Sequence, residues 1–487
     1  MKLRRNATAR STAAEAEVRT GRPEDEKMPF LQLVLYGLQH ILTMYGGVIA
    51  PPLIVGTAAK LSPTDIALLV TAGLFVSGLA TLLQTLGIGR FGARLPIVQG
   101  ISFASVSTMV AIASTDGLRP VFGAIIVAGV IGLVLSSFFA QLVRLFPAVV
   151  TGTIITVIGL SLMPVAFTWA MGGAGSKSLG STSNIGLAGL TLLIILVISR
   201  LFQGAISRLS ILIGIVAGTA VAALLGKANF SNIGSGNIVA VPPVLHFGSP
   251  TFQIGAIVSM TIVILVIMTE TTADIIAIGE IVETKVDARR VADGLRADMA
   301  STAISPLLGS FPCSAFAQNV GLVALTRIKS RYVVAMGGAI LVLLGLLPVV
   351  GRVVAAIPFP VLGGAGIVLF GTVAASGIRT LSKVDFSDNL NLVIVATAIG
   401  LGVIPIAAPK FWDAFPKGVA VVMDSGISAA AVTAVLLNLL FNEIQAGNRP
   451  GASVFAAVPD ERGSLPVDPP DEGRSAQPTA AAKETTT

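Results

Sequence analysis

Phe311-Pro312-Cys313-Ser314-Ala315-Phe316-Ala317-Gln318-Asn319-Val320-Gly321 is the stretch on which the fold turns. It brings a proline, small residues and two carboxamides into apolar sequence where an ordinary membrane helix would run on. A second stretch of the same character, Leu95-Pro-Ile-Val-Gln-Gly-Ile-Ser-Phe-Ala104, lies in the first half of the chain. Placing Pro96 on Pro312, an offset of 216, sets Ser102 against Gln318 and Phe103 against Asn319. Other landmarks agree: Phe146-Pro147 and Phe359-Pro360 each open an apolar run and lie 213 apart. Seven apolar runs separate the members of each pair. An odd number of crossings per repeat inverts the second copy in the membrane, an architecture of many secondary transporters that bind substrate near the midplane at discontinuous helices. Irregular backbone at that depth is tolerated only where it is buried in protein or lines a cavity. Packing kinks are the plainer explanation for Pro and Gly in such runs, but matched placement in both halves favours a repeat.

Composition demands a membrane around these segments. Of 487 residues, 54% are hydrophobic and 12% charged, with a mean hydropathy of +0.87, whereas soluble domains carry about 25% charge. So much apolar sequence with so little charged shell excludes a soluble globular protein. Plentiful glycine (52) with only 6% aromatic residues suits closely packed membrane helices. The net charge of +7 forms no basic stripe with interleaved aromatics, so nucleic acid is not an expected partner. A single cysteine, Cys313, excludes an intrachain disulfide and a cysteine-cluster metal site.

Between about Leu31 and Phe441 lie fourteen apolar runs, each near the roughly 20 residues a spanning helix needs. The ninth (290–309) and tenth (312–326) are diluted by Ala, Ser and Gly. The expected class is an all-α polytopic membrane protein of about fourteen spans, two inverted seven-span repeats with short extended segments in spans 3 and 10. The expected divisions are a polar cytoplasmic tail (1–28), repeats at 29–226 and 250–442, and a disordered cytoplasmic tail (443–487) rich in Pro, Ala, Asp, Glu and Thr. Both tails read as solvated extensions, and the first lacks the short apolar core and cleavage site of a signal peptide. With the N-terminus inside, cytoplasmic loops hold fourteen Lys and Arg against seven outside. That bias supports the count, with both termini cytoplasmic in the plasma (inner) membrane.

The informative residues are the few polar and charged ones left in apolar sequence. Glu270 and Asp274 in the eighth run are four apart and so share a helix face. A carboxylate there is costly unless paired, hydrated or protonated, which marks both for substrate or proton chemistry against the alternative of an ion pair or cap. Glu280 and Glu283 fall at the cytoplasmic surface. Asp298 reads as a transport residue or a cap to a neighbouring helix, and Asp424-Ser-Gly as a local turn. His40 follows Gln39 within the first run and is a candidate partner of the eighth-run carboxylates, while His246 lies in a loop. Gly363-Gly364-Ala-Gly366 lacks the following Lys-Ser/Thr of a phosphate loop and reads as close helix packing. No metal-ligand spacing or nucleophile-base set occurs, so neither an enzyme nor a cofactor is expected.

Gln318-Asn319-Val-Gly321-Leu-Val-Ala-Leu-Thr326-Arg327 resembles the signature of the nucleobase-ascorbate transporters: Gln, Glu or Pro, then Asn, one residue, Gly, four residues, Thr and a basic or small residue. Gln39-His40, Ser102-Phe103, Glu270 with Asp274, and Asp298 extend the likeness from about Leu31 to Asn442. The resemblance implies a core domain of spans 1–4 and 8–11, a gate domain of spans 5–7 and 12–14, and a homodimer. It implies that Glu270 and Gln318 hydrogen-bond a base, that Phe103 stacks on it, and that the backbone near Ala317 contributes. Ser102 and Asn319 then belong to the binding region, with His40, Gln39, Asp274 and Asp298 as surrounding or proton-coupling residues. Hydrogen-bonding capacity agrees: an ionised Glu only accepts and so suits ring N–H groups, whereas Gln suits a mixed edge, and Phe103 suits the ring face. Relatives that carry uracil tend to have Glu at the position of Gln318, which tilts the reading toward oxidised purines. The leading expectation is proton-coupled import of xanthine or uric acid. The alternatives are a uracil:proton symporter and an anion carrier of the same architecture, the latter disfavoured because Glu270 would repel an anion.

Overall fold

The computed structural model describes residues 22–139, 145–231, 233–234, 237–387 and 389–444. Most of the two expected tails, 1–21 and 445–487, lies outside the described residues. Each of the fourteen apolar runs holds an element. The first seven are α1 (Phe30–Ala58), α2 (Pro63–Leu86), β1 (Gln99–Ile101) leading into α3 (Val106–Asp116), α4 (Leu118–Leu135), α5 (Ala148–Ala170), α6 (Thr182–Leu201) and α7 (Ser210–Leu224). The second seven are α8 (Ile254–Val282), α9 (Ala288–Ile304), β2 (Cys313–Ala315) leading into α10 (Ala317–Thr326), α11 (Arg331–Gly345), α12 (Phe359–Leu381), α13 (Asn389–Ala407) and α14 (Gly426–Asn438). A short helix, Lys417–Met423, precedes α14, and α11 bends by 78° into another, Pro348–Ala355.

By length and composition eight of these helices can cross a membrane among the described residues, or nine if the bent pair is one span. The others are short for physical reasons. Spans 3 and 10 cover part of the distance as strand, which rises about 3.3 Å per residue against 1.5 Å in a helix. Span 9 opens with Arg289, Arg290, Asp293 and Arg296. Helix starts follow capping chemistry: Ser62, Ser181, Asp287 and Ser425 each accept a backbone N–H of the following turn. The sharp passage from α3 to α4 is made by Gly117 at φ 76°, a conformation that penalises any Cβ.

The two strands cross as an antiparallel pair, Gln99 opposite Ala315, Gly100 opposite Ser314 and Ile101 opposite Cys313. The pairing carries its own twofold relation. Ser102 N–H donates to Pro312 C=O and Phe316 N–H to Val98 C=O, and these bonds exchange when residue n maps to n + 214. The same mapping relates Gln99, whose N–H donates to the Thr81 hydroxyl of α2, to Cys313, whose N–H donates to the Thr302 hydroxyl of α9. The offset of 216 suggested by the two prolines is therefore corrected by two. Phe103 corresponds to Ala317, where each half-helix begins, and Gln318 to Ala104. Proline misleads because it fits any extended segment, whereas strand register is set by both backbones.

Helix packing obeys the same symmetry. α2 packs on α11 as α9 packs on α4, α1 on α11 as α8 on α4, α13 on α5 as α6 on α12, and α13 on α14 as α6 on α7. The result is two helical clusters, spans 1–4 with 8–11 and spans 5–7 with 12–14, the expected core and gate. The gate is joined most extensively through α5 and α12. There Gly363 and Gly366 lie against Ala170 and Ala166 of α5, and Gly364 against Thr191 of α6, so the glycine run serves close packing.

Both ends of the core are tied by chain outside the spans. The loop between α7 and α8 is pinned by Leu245 N–H on Leu307 C=O, Ala240 N–H on Leu346 C=O and Thr251 N–H on Arg119 C=O. His246 in this loop is half exposed and stands 3.1 Å from Asp65. At the opposite end Pro23–Asp25 forms a 3-10 turn, and here the expectation of a solvated tail is corrected. Glu24 is only 1% exposed; its Oε1 accepts from Arg290 at 2.6 Å and from Thr284 at 3.2 Å. Asp25 takes Arg331 Nε at 2.6 Å, and the Ser330 hydroxyl donates to Glu26 C=O. Charge composition made the segment look solvated, but the Glu24 and Asp25 carboxylates and the Glu26 carbonyl meet basic and hydroxyl partners that the fold gathers from α9, the start of α11 and the loop after α8. Nearby, the exposed Glu283 carboxyl is held below its usual range by its hydrogen bond to Lys329 and by that charge.

Arg290 keeps its bonds to the Ala93, Arg94 and Lys285 carbonyls when Glu24 is removed, so losing the carboxylate is expected to cost about 1–3 kcal/mol. Glu24→Ala is therefore expected to lower the melting temperature of the detergent-purified protein, while Glu280→Ala, at an exposed position, leaves it in place. Equal melting temperatures for Glu24→Ala and the unmodified chain would show that the strap contributes nothing.

Candidate functional site

The candidate site lies where the two broken spans cross, between α1, α8 and the gate. Glu270 and Asp274 of α8 are half buried, and among the described residues neither makes an ion pair or a hydrogen bond to protein. Their neighbour Thr271 is fully buried and does the opposite. Its hydroxyl donates to Asp298 Oδ2 at 2.6 Å and accepts from Ala315 N–H at 3.3 Å, joining α8, α9 and β2. Asp298 is fully buried and its Oδ1 has no partner, as have both side-chain polar atoms of the buried Gln99 in β1. Asp298 is thus a link between elements rather than a helix cap. Thr271 was not singled out from sequence, because threonines abound in α8 and only the fold shows which one faces Asp298.

The bond from Thr271 to Ala315 sets α8 against the start of α10. There Ala317 and Gln318 are exposed, and Gln318 has no hydrogen-bond partner among the described residues. The residue before the helix is Phe316, which has no side-chain cap to offer, so the first amides of α10 are left for something else. The counterpart turn differs: the Ser102 hydroxyl accepts from Ala104 N–H at 3.3 Å and is 2% exposed, which makes Ser102 a cap rather than a free donor.

Phe103 is 9% exposed and lies among aromatic rings, with its centroid 6.5 Å from Phe316 and 6.2 Å from Phe370 of α12 in the gate. Phe316 in turn lies over Gly47 of α1 and Gly100 of β1; a Cβ on Gly47 would sit 2.7 Å from its ring. Phe316, Phe370 and Gly47 were not legible as site residues, since an aromatic beside glycine reads as ordinary packing until the strands are crossed.

His40 is buried and bonded to Asn319, not to the eighth-span carboxylates. Asn319 Nδ2 lies 3.0 Å from His40 Nδ1 and donates to His40 C=O at 3.1 Å. Since Nδ2 only donates, Nδ1 accepts and the ring proton of a neutral His40 sits on Nε2. The pair locks α1 to α10 and leaves the buried Asn319 Oδ1 without a partner. Gln39 is half buried, and its C=O accepts from Thr43. An apolar cavity lined by Ile49, Leu53, Trp169, Leu362 and Phe370 carries no ionisable group and is not the site. No metal-binding cluster of His, Cys, Asp and Glu occurs among the described residues.

Two crossing half-helices between opposed helical clusters are an architecture of membrane transporters, and the family and relatives that the chain matches are permeases, not enzymes. The chain belongs to the nucleobase-ascorbate transporter family: the permease-family model Xan_ur_permease matches residues 31–411. It is similar to the uric acid transporter UacT of Escherichia coli K12, 41% identical over 431 residues covering 87% of this chain and 89% of that one. It is similar also to the xanthine permease of Bacillus subtilis 168, 40% identical over 406 residues covering 83% and 93%. In fold it matches the murine Solute Carrier 26 family member A9 anion transporter in the inward-facing state, with a TM-score of 0.60 at 13% identity over 87% of this chain and 70% of that one. That likeness shows the shared architecture of two inverted seven-span repeats.

Proposed function

We propose that the chain imports a purine nucleobase, xanthine or uric acid, by proton symport, the core moving against the gate to expose the site alternately. One observation carries the reading. Glu270, half buried on α8, and Gln318, exposed at the uncapped start of α10, have no protein partner, the Thr271–Ala315 bond ties their elements together, and Phe103 lies beside Phe316 at the same crossing. Glu270 accepts from ring N–H groups, Gln318 pairs with a mixed C=O and N–H edge, the amides at Ala317 and Gln318 take a carbonyl, and Phe103 covers the ring face. The names of relatives near 40% identity support an oxidised purine over a pyrimidine.

Glu270, Asp274 and Asp298 are the candidate proton carriers, with His40 and Asn319 fixing the crossing and Gln39 alongside. No other cofactor enters. The same proposal has the protein as a homodimer of the plasma membrane with both termini cytoplasmic. Cells that express the chain and lack their own purine uptake are expected to accumulate labelled xanthine or uric acid. An excess of unlabelled uracil should leave that uptake intact, and a proton uncoupler should abolish it. Uptake suppressed by uracil would move the substrate to pyrimidines; uptake indifferent to the uncoupler would remove the proton.

A further inference from the structure

We propose that two buried hydroxyl pairs form a latch between core and gate that closes the site on the side of the membrane opposite the N-terminus. Thr108 Oγ1 of α3 lies 2.6 Å from Ser425 Oγ, and Ser259 Oγ of α8 lies 3.1 Å from Ser428 Oγ. All four residues are fully buried. Span 14 supplies one partner of each pair and belongs to the gate; α3 and α8 belong to the core. Spans 8 and 14 both enter from the side opposite the N-terminus, and Ser259 and Ser425 lie in their entering halves.

The inverted repeat supplies the comparison that reveals a latch. The symmetry mate of span 14 is α7, which enters from the N-terminal side and packs on α1. There Gly46 faces the Ile211 methyl, and among the described residues no hydrogen bond joins α7 to α1 or α10. By the offset of 214 the mate of Thr108 is Leu322 of α10, so that side carries no hydroxyl pair and meets through apolar contacts such as Gly46 with Ile211. The hydrogen-bonded seam between core and gate therefore lies on one side of the membrane.

Hydroxyls suit a closure that must also open. Ser and Thr on a helix can turn their O–H to the carbonyl one turn back, as Thr156 and Thr272 do here. Separated partners therefore need not remain unsatisfied, whereas a parted ion pair at this depth would leave two bare charges.

The proposal rests on the alternating movement proposed above, and its test has a readout that needs no substrate. In the full chain carrying Gln318→Cys, with Cys313 buried, a membrane-impermeant maleimide added on the side opposite the N-terminus is expected to leave position 318 unlabelled. Adding Thr108→Val and Ser259→Ala, which removes one hydroxyl from each pair and leaves the Ser425 cap of α14 in place, should raise the labelling rate roughly tenfold by shifting the population toward the other conformation. Equal labelling with and without the hydroxyls overturns the proposal.

Cross-linking is the second measurement. Thr108→Cys with Ser425→Cys, oxidised to a disulfide and verified by mass spectrometry, is expected to stop purine uptake, and reduction should restore it. Uptake by the cross-linked protein at the reduced rate would equally overturn the latch. Failure of the unmodified chain to take up purine would instead strike the functional reading and leave the labelling result standing.

Discussion

Glu270→Gln is expected to lower initial uptake of labelled xanthine or uric acid by about 100-fold, with the protein present in the membrane at its normal level. The substitution keeps the shape and one acceptor oxygen but replaces the other by an NH2, which confronts a ring N–H with a donor. Hydrogen bonds to a charged acceptor contribute about 1.5–3 kcal/mol against about 1 kcal/mol for neutral ones. Losing one of them therefore accounts for a factor between about 10 and 150. Folding should survive, because Glu270 has no protein partner to lose. Gln318→Ala, at an exposed position on α10, should cost about tenfold by removing one donor and one acceptor of neutral character. Substrate-induced thermal stabilisation of the purified protein reads binding apart from movement and should vanish in Glu270→Gln. Full uptake by both variants would place the substrate elsewhere.

The second large effect is expected at a residue that does not touch substrate. Thr271→Val preserves shape and removes the hydroxyl that Asp298 Oδ2 and Ala315 N–H share. Asp298 is fully buried and its Oδ1 already lacks a partner, so the Thr271 hydroxyl is the close hydrogen bond that holds its carboxyl. Two buried polar groups would be stranded, at about 1–3 kcal/mol each. The variant should melt at a lower temperature and lose most uptake, because the junction of α8, α9 and β2 that positions Glu270 and the start of α10 would loosen. Thr271→Ser should recover both properties. A Thr271→Val protein that melts and transports like the unmodified chain would show that the shared hydroxyl is dispensable.

Much of the fold was legible because lipid imposes simple rules. Apolar runs of spanning length, the bias of basic residues among loops and the paired interruptions at Pro96 and Pro312 specify an inverted repeat, since backbone polar groups in lipid must be satisfied within helices or buried protein. Glu270 stood out for a related reason, since a carboxylate at membrane depth is costly enough to need a purpose, whereas Gln318 was reached through the resemblance of Gln318–Arg327 to the family signature. What escaped are relations between segments distant in sequence. Two prolines suggested an offset of 216, and only the hydrogen bonds across β1 and β2 gave 214. His40 invited pairing with a carboxylate, yet three-dimensional packing gave it Asn319.

The sequence by itself determined that this chain crosses a membrane many times, that its halves are inverted copies, and which few polar residues fall in apolar sequence near the two breaks. Hydropathy and repeat period are local properties, and each span reports its own. The tertiary structure alone decided which threonine meets Asp298, why Glu24 leaves water for Arg290, which rings flank Phe103, and on which side hydroxyls join core to gate. Each depends on the register of one element against another hundreds of residues away, and short polar side chains reveal a partner only when the backbones that carry them have been brought together.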